Sequence, residues 1–179
     1  FCDSDDILKK DKTKIQLLKM QKENAEISFT NADYYDVKKK VYQKNKITYP
    51  FFDINFNDLC FKNIIITSSV IVSKKLFLSV DGFPESNYFY SYEDYFLWLK
   101  IAQKSKIYFL DESLLIYYDN RSVSSSSRSK HIIDQRLRIF LYFLGRMEIK
   151  KCLSIVDKNF KLLKSWLEKK YLKKNHKEY

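Results

Sequence analysis

The chain has 179 residues, 45% apolar and 17% aromatic, with two Gly and two Pro; this excludes collagen-like, repeat-built and disordered classes and allows one packed domain. Three Cys without a C-x-x-C pair and two His argue against a zinc site and for reduced thiols, and no apolar run reaches the ~18 residues of a membrane span. The net charge of +11 is uneven: residues 1–120 carry 17 Lys+Arg against 17 Asp+Glu, and residues 121–179 carry 16 against 5, so a neutral body precedes a basic tail suited to an anionic partner.

Phe1 and Cys2 read as the end of a strand entering an acidic turn, Asp3-Ser4-Asp5-Asp6. Phe at the first position, followed by acids, is neither a natural start nor a signal peptide, so the chain reads as a fragment. Helical spacing of Ile15, Leu18 and Gln21/Lys22 predicts a helix from about Lys9 to Glu23. Ala25 to Phe29 leans to strand, with Thr30 to Asp33 as its exit, and residues 36–46 form a lysine-rich exposed connection. Ile47 to Phe52, broken by Pro50, is an edge strand or a loop. Asn63 to Val72, rich in Ile, Val, Thr and Ser, is the strongest strand signal.

Lys74 to Val80 predicts a short helix that stops at Asp81-Gly82, where glycine accepts a positive φ. A loop spans Pro84 to Tyr92, and Tyr95 to Gln103, apolar nearly all round, is a buried helix. Ile107 to Leu110 and Leu114 to Tyr118 are two strands parted by an Asp111-Glu112-Ser113 turn. Residues 119–130 form a serine-rich loop, and the chain is helical from about Ile132 to its end. Alternating strands and helices in the first two thirds argue for an α/β layer.

Two acidic clusters carry the chemistry. In the first, carboxylates at Asp3, Asp5 and Asp6 can converge on a hard divalent cation such as Mg2+ or Mn2+. The alternative is that Ser4, Asp5 and Asp6 cap the helix that follows. In the second, Glu93 and Asp94 stand at the start of a buried helix, where burial and a neighbouring charge make a carboxylate a better general base. The alternative there is a capping box, with Ser91 as N-cap and Asp94 three residues on.

Taken together, the motifs resemble family 2 glycosyltransferases. Phe1-Cys2-Asp3-Ser4-Asp5-Asp6, with Lys12 and Gln16, resembles that family's "hydrophobic-x-Asp-x-Asp-Asp … Lys … Gln" segment. Ile66 to Lys74 is similar to its "t-s-s-x-x-hydrophobic-basic" strand, and Val80 to Glu85 to its Gly-Gly-Phe-Asp-Glu turn, with Asp81 and Pro84 as departures. Ser91 to Leu99 is similar to its "Glu-Asp-aromatic-x-Leu-Trp-Leu" helix start, and Ile107 to Glu112 and Leu114 to Tyr118 to its closing strands.

The likeness covers about residues 1–125. It implies an α/β fold: a partial GT-A mixed sheet with flanking helices over residues 1–120, and a C-terminal helical extension over residues 121–179. It further implies metal-dependent transfer of a sugar, with inversion, from a nucleotide-sugar donor to a glycan or lipid-linked acceptor hydroxyl. Asp3, Asp5 and Asp6 would bind the donor, Asp5 with Asp3 holding Mn2+ or Mg2+. Asp94 would be the general base and Glu93 its companion. Asp5 and Asp94 must then face one shared cleft. The family's nucleotide-binding first half lies outside these residues, so the chain alone is expected to be inactive.

Arg121, Arg128 and His131 are candidate phosphate contacts from a loop closing over the donor, or simply part of a solvated linker. In residues 150–174, Leu153, Val156, Phe160, Leu163 and Leu167 oppose a lysine face, as in a helix lying on an anionic membrane surface or one packed on the domain. The expected location is cytoplasmic, peripheral on the inner face of the plasma membrane. The competing readings are a non-catalytic remnant and a basic-tail module binding nucleic acid, for which no nucleic-acid motif is present.

Overall fold

A computed structural model describes residues 1–45, 47–49, 52–61, 63–86, 89, 91–119, 139, 142 and 143. The chain divides into two compact units, Phe1–Arg136 and Leu137–Tyr179. In the second, the described residues are helical, with the Tyr142 and Phe143 rings 5.0 Å apart. The serine-rich loop, with Arg121, Arg128 and His131, and the basic amphipathic face of the tail lie outside the described residues.

The first unit is an α/β protein with a mixed sheet. Its strands are β1 (Ile7–Leu8), β2 (Ile27–Asp36), β3 (Val41–Gln43), β4 (Asp53–Ile54), β5 (Ile71–Val72) and β6 (Ile107–Asp119). Its helices are α1 (Lys12–Lys22), α2 (Phe56–Phe61), α3 (Lys74–Ser79) and α4 (Glu93–Ala102). β2 and β6 run parallel at the centre, and four short antiparallel strands flank them. β4 and β1 pair with the start and end of β6, while β5 and β3 pair with the start and end of β2.

The core follows from burial on these two strands and α4. Phe29 stacks on Phe109 at 4.9 Å between the central strands. α4 is buried nearly all round, through Tyr95, Phe96, Leu97, Trp98, Leu99 and Ile101, as its unbroken apolar run requires. Each such side chain contributes about 1.5–3 kcal/mol when fully removed from water. Phe1 belongs to no strand among the described residues. Its ring meets Phe83 at 5.2 Å, Phe77 at 5.8 Å and Trp98 at 6.0 Å, which anchors the acidic turn beside α4.

Several sequence expectations are corrected. β2 does not end at Thr30 to Asp33 but runs on to Asp36, because its buried polar side chains are hydrogen-bonded. Asn31 donates to the Asp111 carboxylate at 2.6 Å and to the Ile47 carbonyl at 2.8 Å, and accepts from the Ile47 amide. The two closing strands are one, β6; Asp111 and Glu112 bulge out where Leu110 pairs Thr30 and Ser113 pairs Asn31. The lysine-rich connection is exposed but contains β3.

The largest miss is residues 63–72. Only Ile71–Val72 is strand, and Thr67–Ser69 forms a 3-10 turn. The Ser69 hydroxyl donates to the Ile66 carbonyl at 2.6 Å, and the Val70 amide to the Thr67 carbonyl. Such local side-chain bonding competes with a strand ladder. The stop of α3 is as expected: Asp81 and Gly82 take φ of 59° and 58°.

Candidate functional site

The acidic turn precedes β1 and closes through an Asp6 amide to Asp3 carbonyl bond of 3.2 Å. It does not cap α1. That helix begins at Lys12, has no acid in its first turn, and has Asp11 as an N-cap without a side-chain bond. The Asp3 and Asp5 carboxylates are exposed and have no partner among the described residues. Asp6 is half-buried. Its Oδ1 accepts from the Tyr118 amide at 3.2 Å, and its Oδ2 is buried without a directed hydrogen bond. Burial raises the Asp6 pKa, with Asp3 and Asp5 adding to the rise, while the nearby Ser68 hydroxyl and the Tyr118 amide oppose it.

At the start of α4 the capping-box reading also fails. The N-cap is Tyr92, and Ser91 has a φ of 65° and donates its amide to Glu93 at 3.0 Å. Asp94 instead turns to residues far away in sequence. Its Oδ2 accepts from the Thr67 hydroxyl at 3.0 Å and the Asn63 amide at 3.5 Å, and its Oδ1 from the Tyr95 amide at 2.6 Å. One of these three donors is an otherwise orphaned helix N–H. Burial, with the Glu93 charge, raises the Asp94 pKa; the three hydrogen bonds restrain the rise. A half-buried carboxylate of raised basicity suits proton abstraction.

The two clusters meet at the 3-10 turn. Thr67 holds Asp94, and the next residue, Ser68, accepts the Asp3 amide at 2.9 Å. Neighbouring Cα atoms are about 3.8 Å apart, so the Asp3 amide and the Asp94 carboxylate lie no more than about 15 Å apart. Ser68 and Ser69 are fully buried, which makes the turn a fixed clasp. Behind it, the Ser69 carbonyl accepts from Lys12 at 3.2 Å and Gln16 at 3.0 Å.

Neither Asn63 nor the separate roles of Thr67 and Ser68 stand out in the sequence. The available signal was three consecutive hydroxyl residues interrupting an apolar run, which favours a side-chain-bonded turn. Asp33, expected at a strand exit, is buried in a knot of its own. There it accepts from Lys9 at 2.6 Å, Ser113 at 2.7 Å, the Asn45 amide at 3.2 Å and the Tyr42 hydroxyl.

Among the described residues no three Asp, Glu, His or Cys side chains gather as a cation cage. Mg2+ is commonly held by one or two carboxylates, with substrate phosphates and water completing its shell. Asp3 and Asp5, whose carboxylates have no hydrogen-bond partner among the described residues, are the residues that could serve as such ligands. Of the described thiols, Cys2 is exposed, and burial pushes Cys60 up to about 12.

A hollow of about 670 Å³ lies elsewhere, lined by Glu23, Phe52, Asp53, Asn55, Asp58 and Tyr108. Tyr108 and Tyr118 stand near opposite ends of β6, on the order of 25 Å apart, so this hollow is not the expected cleft between Asp5 and Asp94. Among the described residues, no helix is long and apolar enough to cross a membrane. No protein-family model matches the chain, and no curated protein matches it.

Proposed function

We propose that this chain carries the acceptor side of a metal-assisted, inverting sugar-transfer site that uses a nucleotide-sugar donor. The observation that carries the reading is the Thr67-Ser68 clasp, which ties the Asp94 carboxylate and the backbone of the acidic turn that carries Asp3 and Asp5 to adjacent residues. Neither cluster is used up by helix capping, which was the competing explanation of both.

In this reading Asp94 takes the proton of the acceptor hydroxyl. Three donors fix its orientation, leaving about one acceptor position of its two oxygens open. Burial keeps Asp94 basic, and the charge of Glu93, half-buried beside it, adds to that. Asp5 and Asp3 would hold Mn2+ or Mg2+, whose chemistry is to offset charge on a leaving diphosphate. Asp6 orients the turn through Tyr118. The fold is proposed to be of the GT-A type, and the acceptor a glycan or lipid-linked hydroxyl.

The test is Mn2+ titration of the 15N-labelled chain with UDP present. Line broadening should centre on residues 3–6 and Ser68, reach the Tyr95 amide, and vanish in Asp5→Ala. Broadening elsewhere, or none, would refute the metal assignment. In a longer protein carrying this chain, Asp94→Asn should lower sugar transfer by roughly 10²–10⁴-fold, and unchanged turnover would remove Asp94 as the base.

A further inference from the structure

Lys12 is 4% exposed and Gln16 is fully buried, one turn apart on α1. The Lys12 ammonium donates to the Gln16 side-chain Oε1 at 2.7 Å and to the Ser69 backbone carbonyl at 3.2 Å. The Gln16 amide donates to the same Ser69 carbonyl at 3.0 Å, and to the Ser28 hydroxyl and carbonyl of β2 at 2.9 and 3.2 Å. Both side chains therefore converge on one backbone oxygen, two residues past Thr67. Among the described residues no carboxylate bonds to Lys12, and burial pulls its ammonium down to about 8.

A buried cation with only neutral partners is an expensive way to fill space, and a methionine would pack there at less cost. What methionine lacks is a donor to the Ser69 carbonyl. We propose that Lys12 and Gln16 are positioning residues: they lock the Thr67–Ser69 turn so that Thr67 presents its hydroxyl to Asp94. The proposal rests on the reading of Asp94 as the proton acceptor, but the geometry it asserts is measurable without any activity.

The experiment uses the 179-residue chain, labelled on Thr methyl groups and Asp carboxyl carbons. In the wild type, three-bond couplings should give Thr67 one χ1 rotamer. In Lys12→Met the couplings should average, and the Asp94 titration midpoint should rise by about half to one pH unit as the Thr67 bond weakens. Thr67→Val should raise the midpoint directly, and the Lys12→Met/Thr67→Val double variant should raise it no further. Met20→Ala, on the same helix and buried, serves as a purely destabilising control and should move neither readout.

An unaveraged Thr67 rotamer in Lys12→Met, or fully additive shifts in the double variant, would overturn the brace. If Lys12→Met does not fold, Gln16→Glu withdraws the amide donor while keeping the side-chain shape, and the same rotamer averaging is expected. A single unchanged rotamer there is equally fatal. A confirmed brace alongside unchanged sugar transfer in Asp94→Asn would sink the functional reading alone.

Discussion

Asp33→Ala removes the carboxylate on which β1's flank, β2, the β3 hairpin and β6 converge. The side chain is 4% exposed and accepts from Lys9, Ser113, Tyr42 and the Asn45 amide. Truncating one partner of a buried ion pair costs about 3–5 kcal/mol, because the other charge is stranded. Lys9 is 31% exposed, so water takes over part of its solvation, and the expected loss is about 2–4 kcal/mol. With a urea slope of about 2 kcal/mol/M, the unfolding midpoint should fall by about 1–2 M.

The pH dependence gives a second, independent check. Burial alone would raise the Asp33 pKa, but hydrogen bonds from Lys9, Ser113, Tyr42 and Asn45 outweigh it and hold the carboxyl well below the usual range. A depressed folded-state pKa adds stability above the unfolded value of 3.8 and loses it as pH falls. The gap between wild type and variant should therefore be full above about pH 5 and shrink steadily below pH 4. A loss under about 1 kcal/mol at pH 7, or a gap that widens in acid, would refute the reasoning.

Three further outcomes are expected. Asp94 has a raised pKa, so the wild type loses stability as pH rises through the folded-state midpoint; the melting temperature of Asp94→Asn minus that of wild type should increase from pH 4 to pH 7, and a decrease would contradict the shift. Gly82→Ala adds a Cβ 2.8 Å from the Phe77 ring at a φ of 58°, and should cost about 1–3 kcal/mol, seen as a drop of roughly 3–10 °C in thermal unfolding. Ser68→Ala frees the Asp3 amide, whose hydrogen exchange should speed up about 5–10-fold while the core amides of β2 keep their protection; an unchanged rate would mean the clasp is loose.

Much of the scaffold was legible because it rests on local pattern. The unbroken apolar stretch of α4 can only be buried, and Asp81-Gly82 can end α3 because positive φ is cheap for Gly and tolerated by Asp. The acids were legible as types, since carboxylates at short spacing before a helix admit few uses. Their roles were not. Capping was a sound local expectation for Asp5, Asp6 and Asp94; it fails for Asp5 and Asp6 because β1 intervenes before α1, and it is only part of what Asp94 does, since that carboxylate accepts one helix N–H but is also reached by Thr67 and Asn63 from 27 and 31 residues away.

The chain's own order of residues determined an α/β domain, a neutral body with a basic tail, and two acidic groups, one ahead of the first helix and one at the start of an apolar helix. Tertiary structure alone decided that residues 67–69 turn instead of extending, and that Asp33 is a buried anchor. It also decided that Lys12 and Gln16, Asp3 and Asp94 all close on one turn. The reason is physical: side-chain hydrogen bonds between distant residues leave no periodicity in sequence, whereas burial of a helix or strand face does.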